Sequence, residues 1–213
     1  MTEASEAVRP SRARDGTTWR WLGRADYRAV LGEQLAARER VWAGEPGVVL
    51  LCEHPPVITL GRSATLANIV DAGDVPIERI ERGGEVTYHG PGQLMIYPIV
   101  RVKSVVDFLA RVAAAIVATA DAFGVAGAEW RRDPAGVWLG DSKLAACGIH
   151  VARGVSVHGF AFNIDTPDVA WRCIKPCGLD VPQRSLAAAS GRAIAVPDVA
   201  IEVGPRVVSA LGL

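Results

Sequence analysis

One α/β domain built on a mixed, mostly antiparallel sheet with helices packed on it is the fold this sequence predicts. Three observations predict it. Three strand-like runs follow one another across residues 136–164 with only short turns between them, which reads as an antiparallel meander. Two long segments with helical apolar spacing, 27–42 and 105–123, fall between groups of strands rather than after every strand. That rhythm departs from a doubly wound parallel sheet, in which helix and strand alternate. The 213 residues are enough for one large core without disulfide or metal staples.

In chain order, residues 1–17 read as a flexible polar arm, and the expected domain runs from 18 to 213. The arm lacks the apolar stretch of a secretory signal. Asp26 is placed to cap a helix in which Tyr27, Val30, Leu31 and Leu35 recur at helical spacing, and Gly44 and Pro46 stop it. G-V-V-L-L-C-E at 47–53 is a short continuous β-branched run and predicts a buried strand. His54-Pro55-Pro56 breaks it, V-I-T-L-G-R follows as a second strand, and a polar loop extends to Glu81. R-G-G-E-V-T-Y-H-G-P-G-Q-L-M-I-Y-P-I-V at 82–100 predicts a strand, a tight turn at G-P-G, and another strand. Ser104 caps an alanine-rich helix that Gly124 closes. The meander is G-V-W-L-G, K-L-A-A-C-G-I-H-V and V-S-V-H-G-F-A-F-N-I, with turns at G-D-S and A-R-G. Asp198 is expected to open a last helix that Pro205 kinks or splits.

Composition excludes several function classes. Twenty-three basic residues balance 23 acidic ones, so no general field attracts nucleic acid or an acidic membrane. The longest apolar helical segment is interrupted by Asp107, Arg111 and Asp121 and cannot span a bilayer. Four cysteines in a chain of this length do not make a disulfide scaffold, and a cytoplasmic location is expected.

The chemistry-bearing residues cluster in three places. In I-K-P-C-G-L-D at 174–180, Cys177 sits on a backbone corner between Pro176 and Gly178, not inside an apolar run. The glycine-rich run at 82–93 has neither P-loop spacing nor a G-x-G-x-x-G that opens a helix. Its bland reading is a pair of turns on a sheet edge. Arg82, Thr87, Tyr88, His89 and Gln93 in one strand-turn-strand unit favour a ligand site. Lys143 leads an otherwise apolar strand, where it is either an edge charge against aggregation or a desolvated base. Cys173 and Cys177, with His150 and His158 on neighbouring strands, have permitted zinc-ligand spacing, but Pro176 breaks the cysteine pair, and no metal is expected. A thiol becomes a nucleophile when a base favours its thiolate, and His89, His150, His158 and Lys143 all qualify as that base.

R-G-G-E-V-T-Y-H-G-P-G-Q at 82–93 resembles the signature of the lipoyl(octanoyl) transferases of lipoate biosynthesis. E-H-P-P-V-I-T-L-G-R at 53–62, S-K-L-A-A-C-G-I-H-V, G-V-S-V-H-G-F-A-F-N and K-P-C-G-L stand in family order, so the resemblance covers about residues 18 to 213. It implies a biotin/lipoate protein ligase-like catalytic domain. It implies Cys177 as nucleophile, Lys143 as its activating base, and no cofactor. It implies substrate contacts at Arg82, Gly83, Gly84, Glu85, Val86, Thr87, Tyr88 and His89, at Ala146, Cys147 and Gly148, and at Gly159, Phe160 and Ala161.

The implied reaction takes an octanoyl group from octanoyl–acyl carrier protein to a lysine of a lipoyl domain, through a thioester on Cys177. The implied acceptors are the E2 subunits of 2-oxoacid dehydrogenases and the glycine cleavage H protein. Neither nucleic acid nor membrane is an expected partner, and a monomer is the expected state. Backbone N–H groups near Cys177 or Gly178 are candidates to hold the oxyanion, and small residues around the site leave room for the acyl chain. Three positions depart from the family pattern: Cys147 where a non-thiol is expected, an additional Cys173, and Arg184 where a threonine is common. The competing readings are an ATP-dependent lipoate-protein ligase of the same fold, a hydrolase using Cys177, a histidine and Asn163, and a non-catalytic acyl-binding protein.

Overall fold

A computed structural model describes residues 16–175 and 181–212. Seven strands form the main sheet in the order β1-β2-β6-β10-β9-β8-β7. They are β1 (Thr18–Arg24), β2 (Val48–Glu53), β6 (Gln93–Ile99), β7 (Ala128–Arg132), β8 (Ala135–Leu139), β9 (Ser142–Ala152) and β10 (Val155–Asn163). The β1–β2 pair is parallel and the other pairs are antiparallel. A smaller sheet, ordered β4-β3-β5, joins β3 (Val57–Leu60), β4 (Ile77–Arg79) and β5 (Val86–His89). The mixed, mostly antiparallel sheet and the β8–β9–β10 meander agree with the sequence reading.

Helices cover both faces of the main sheet. On one face lies α1 (Tyr27–Trp42), started by the Asp26 carboxylate accepting from Ala29 N at 2.9 Å. Val30, Ala37 and Val41 from α1 pack there with Leu50, Met95, Tyr97 and Ala161 from the strands. On the other face, α2 (Val105–Ala122) and α4 (Val196–Leu211) bury Val112, Ile116, Val203 and Val207 against Leu94, Ile96, Phe160 and Phe162. Ser104 caps α2 by accepting from Asp107 N. A short helix α3 (Leu186–Ser190), capped by Ser185, precedes α4.

Three expectations change. Strands β1 and β7 were not foreseen, and β1 adds a parallel strand to the main sheet. The supposed polar loop before Glu81 holds a 3₁₀ turn at Leu66–Asn68 and strand β4. The strand, turn and strand expected around G-P-G are present as β5 and β6, but β5 pairs with β3 while β6 pairs with β2 and β10, so the chain changes sheets at that turn. Helix α4 begins at Val196, with Asp198 in its first turn, and runs past Pro205 without splitting. The residue four positions before Pro205, Ile201, is exposed, so water can satisfy the carbonyl that loses its partner. No helix among the described residues is long and apolar enough to cross a membrane.

Candidate active site

A cavity of about 70 Å³ opens between the α1 face of the main sheet and the small sheet. Lys143 stands in its wall, 3 % exposed. It sits on β9, between β8 and β10, so the edge-charge reading fails. Lys143 pairs with Trp138 and Ala145 with Val137, which leaves Leu144 as an extra residue in the β8–β9 ladder. A bulge of this kind re-aims the side chains on either side of it. Leu144 and Ala145 both enter the core under α2 and α4, and Lys143 turns to the cavity with Ala146. Its ammonium lies 4.8 Å from the centre of the Trp138 ring, and among the described residues no carboxylate pairs with it. Gly136 leaves the space, since a Cβ there would stand 3.2 Å from Lys143 Cε and 2.7 Å from the Ala145 carbonyl.

Cys177 lies outside the described residues, but the chain on both sides of 176–180 is anchored. Before it, Lys175 N donates to the Asn68 carbonyl at 2.8 Å, and Ile174 bridges to Ile69. After it, Lys143 N donates to the Pro182 carbonyl at 2.8 Å and Arg184 N donates to the Lys143 carbonyl at 3.0 Å, a short parallel pairing of Lys143 with Gln183. Arg184 therefore serves this pairing through its backbone, whatever its side chain.

Of the residues expected to contact substrate, Arg82, Gly84, Glu85, Val86, Thr87, His89, Ala146, Cys147, Gly148, Gly159, Phe160 and Ala161 line the cavity. Gly83 and Tyr88 do not. Gly83 N ties the loop to the Ile149 carbonyl at 2.9 Å. Tyr88 points into the small-sheet core, edge-on to Trp171, as period-2 alternation on β5 requires. Sequence reasoning missed Tyr27, Met95, Tyr97 and Gln183, which also line the cavity. Met95 and Tyr97 alternate on β6, and the tyrosine within that largely apolar run was the available signal. His150 pairs opposite Val157 and His158 opposite Ile149, so the two histidines are not facing partners. Among the described residues, no three of His, Cys, Asp and Glu group as a metal site.

The histidines at the site are neutral. Burial pushes His89 down to about 3; Arg82 and its neighbouring histidines act in the same direction, against the hydrogen bond His89 makes to Gln93. Burial, then Arg82, pushes His158 down to about 3 as well. His54 is lowered by burial; its Nδ1 donates to the Ala25 carbonyl at 2.7 Å and its Nε2 faces the Tyr97 hydroxyl at 3.0 Å. Burial raises Tyr27, which stacks on His89.

These shifts fix a stability profile. An unfolded histidine titrates near 6.5, so between about pH 6.5 and 3 the unfolded chain binds protons that folded His89 and His158 refuse. Stability therefore drops as the pH is lowered through that window and levels off above about pH 7. At pH 5 each histidine accounts for up to about 2 kcal/mol. Urea unfolding at pH 7.5 and 5.0 measures this, and His158→Gln flattens the difference; an unchanged slope in the variant rules out a neutral buried His158.

The two sheets, the flanking helices and the cavity define the scaffold of the lipoate and biotin protein ligases. Lipoate-protein ligase A bound with ATP aligns with a TM-score of 0.67 at 15 % identity, over 92 % of this chain and 83 % of that one. A putative lipoate protein ligase from T. acidophilum with bound lipoic acid gives 0.69 at 13 %, over 91 % and 83 %. Residues 27–203 match the lipoyl protein ligase A/B catalytic domain, and the chain belongs to that family. Octanoyltransferase of Solibacter usitatus is 45 % identical over 186 residues, 82 % of this chain and 84 % of the relative. Octanoyltransferase of Mycolicibacterium gilvum is 40 % identical over 203 residues, 90 % of this chain and 84 % of the relative.

Proposed function

We propose that this protein transfers an octanoyl group from octanoyl–acyl carrier protein to a lysine of a lipoyl domain, through a thioester on Cys177, with Lys143 as the base. The observation that carries the proposal is the placement of Lys143. It is buried in the cavity wall, and its backbone is paired to residues 182–184, which begin two residues beyond the 176–180 segment that bears Cys177.

In the first half-reaction Lys143 takes the Cys177 proton, and the thiolate attacks the thioester carbonyl. The tetrahedral intermediate expels the carrier's thiolate, which takes the proton back from Lys143. In the second half-reaction the acceptor amine attacks the octanoyl-cysteine, loses its proton to Lys143 and releases the Cys177 thiolate. The thioester brings the activation, so the reaction needs neither nucleotide nor metal. Met95, Phe160 and Ala161 give the acyl chain apolar wall, and Arg82, Thr87 and His89 are among the polar residues of the same lining. Lipoyl domains of 2-oxoacid dehydrogenase E2 subunits and the glycine cleavage H protein are the proposed acceptors, met transiently by a monomer.

His89 does not serve as the base of a hydrolase, since both its ring nitrogens face side-chain partners, Thr59 and Gln93. The ligase reading lacks comparable support: relatives at 40–45 % identity are octanoyltransferases, whereas the ligases resemble this chain at 13–15 %.

Intact mass after mixing with octanoyl–acyl carrier protein without ATP, then with a lipoyl domain, tests the proposal. The expected result is a hydroxylamine-labile octanoyl adduct that moves to the lipoyl domain and is absent in Cys177→Ser. Loss of the adduct as free acid means a hydrolase. Labelling of the acceptor only with ATP and free octanoate means a ligase.

A further inference from the structure

A chain of buried polar side chains runs behind the cavity, and the chemical steps above leave most of it unused. Arg82 Nε and Nη2 donate to Thr59 Oγ1 at 3.2 and 2.9 Å, and Nη2 also donates to the Thr59 carbonyl at 2.8 Å. Thr59 Oγ1 lies 3.3 Å from His89 Nε2, and His89 Nδ1 lies 2.8 Å from Gln93 Oε1. Gln93 Nε2 donates to Asn163 Oδ1 at 2.9 Å. Asn163 Nδ2 donates to the Lys143 carbonyl at 3.4 Å and to Gln183 Oε1 at 3.5 Å. Gln183 Nε2 donates to the Val181 carbonyl at 3.1 Å.

Only one arrangement of hydrogens satisfies every link. Arginine can only donate, so the Thr59 oxygen accepts from Arg82 and its hydroxyl hydrogen is left for His89 Nε2. A glutamine Oε1 can only accept, so His89 carries its hydrogen on Nδ1. That is the neutral ring which burial enforces. The amide hydrogens of Gln93, Asn163 and Gln183 then point successively onward. Thr59, His89, Gln93 and Asn163 are all buried, and a group left unpaired there costs about 1–3 kcal/mol.

The chain of bonds starts on the small sheet, at Thr59 of β3 and His89 of β5, and crosses to Gln93 of β6 and Asn163 of β10 in the main sheet. It ends on two main-chain carbonyls. One belongs to Lys143; the other belongs to Val181, the first described residue after 176–180. Asn163 is not among the residues that line the cavity. We propose that Asn163 is a positioning residue: oriented by Gln93, it locks Lys143 in register with the strand of chain that returns from Cys177, and so sets the base against the nucleophile. The inference rests on the Cys177–Lys143 reading above.

A double-mutant cycle tests it. The variants are Asn163→Leu, Lys143→Met and both together, and the readout is the single-turnover rate of octanoyl-enzyme formation, with melting temperature followed in parallel. Asn163→Leu lowers the rate about 10–100-fold at an unchanged half-saturating donor concentration. In the Lys143→Met background it lowers the rate no further, because residues acting as a unit are not additive. Gln93→Met, which frees the Asn163 amide to rotate, gives a smaller loss with the same non-additivity and covers the case in which Asn163→Leu does not fold. Equal losses in both backgrounds overturn the inference, since the effect then does not pass through Lys143. So does a parental rate in both Asn163→Leu and Gln93→Met. A parental rate in Lys143→Met alone overturns the dyad and the inference with it, an outcome distinct from the other two.

Discussion

Replacing Lys143 by methionine lowers octanoyl-enzyme formation by about 10²–10⁴-fold, the usual contribution of a positioned general base, while the melting temperature holds or rises. The two halves of this result have one cause. Lys143 is buried at 3 % exposure against the Trp138 ring, with no carboxylate partner among the described residues. Methionine fills nearly the same volume without a charge, so packing against Trp138 and Gly136 survives and the desolvation cost disappears. A residue kept for structure alone would behave the opposite way. The variant's rate also regains about tenfold per pH unit up to about pH 8.5, the ordinary range of a cysteine thiol, because solvent must then supply the thiolate. Lys143→Arg does not rescue, since a guanidinium holds its proton and cannot act as a base. Rapid-quench intact mass between pH 6.5 and 9 measures both variants against the parent. A melting temperature that falls in step with the rate would assign Lys143 to the fold instead.

How much of this site the sequence revealed depends on sequence separation. Elements that declare themselves locally were legible. Asp26 and Ser104 cap α1 and α2 as their side chains predict, and the two short turns of the meander stand where G-D-S and A-R-G lie. Lys143 was visible as a charge in an apolar strand, but its direction was not. Strict alternation puts it on the face of Ala145, under α2, and the Leu144 bulge reverses that. No residue type announces such a bulge in advance. The G-P-G turn was visible as a turn, yet hairpins and sheet changes use the same glycines, so the sequence left open which strands β5 and β6 pair with. Asn163 and Lys143 are twenty residues apart, and Gln93 and Asn163 seventy. Gln93 and Asn163 each read alone as an ordinary polar amide, and only the tertiary structure lines them up with Lys143.

Gly159→Ala costs stability at or beyond the upper end of the roughly 1–3 kcal/mol typical of overpacking, a fall in melting temperature on the order of 10 °C. The sequence reading gave the small residues around the site one task, which was to leave room for the acyl chain. Geometry gives Gly159 another. A Cβ there would stand 2.0 Å from the Ile96 carbonyl and 2.9 Å from Pro98 Cδ, so the clash is with the β6 backbone and not with the cavity. The residue before it, His158, has φ 62° and donates its N–H to Gln34 Oε1 at 2.8 Å, so β10 leaves regular strand geometry just where it closes on β6. Relief of the clash must separate β6 from β10, and those strands carry Met95, Tyr97, Phe160 and Ala161 of the cavity wall. Gly148 has a related role, because a Cβ there would meet the Gly83 carbonyl at 2.8 Å and Arg82 Cδ at 3.2 Å, and it thereby seats Arg82. Gly83 is the control. Its Cβ would meet only the Ile149 carbonyl at 3.4 Å, and Gly83→Ala leaves the melting temperature within about 2 °C. Calorimetric melts of the two variants, with acyl-enzyme yields for octanoyl and decanoyl donors, decide between the tasks. A large melting loss in Gly159→Ala alone assigns the glycine to strand contact. An unchanged melt with decanoyl transfer selectively lost would return it to the acyl pocket.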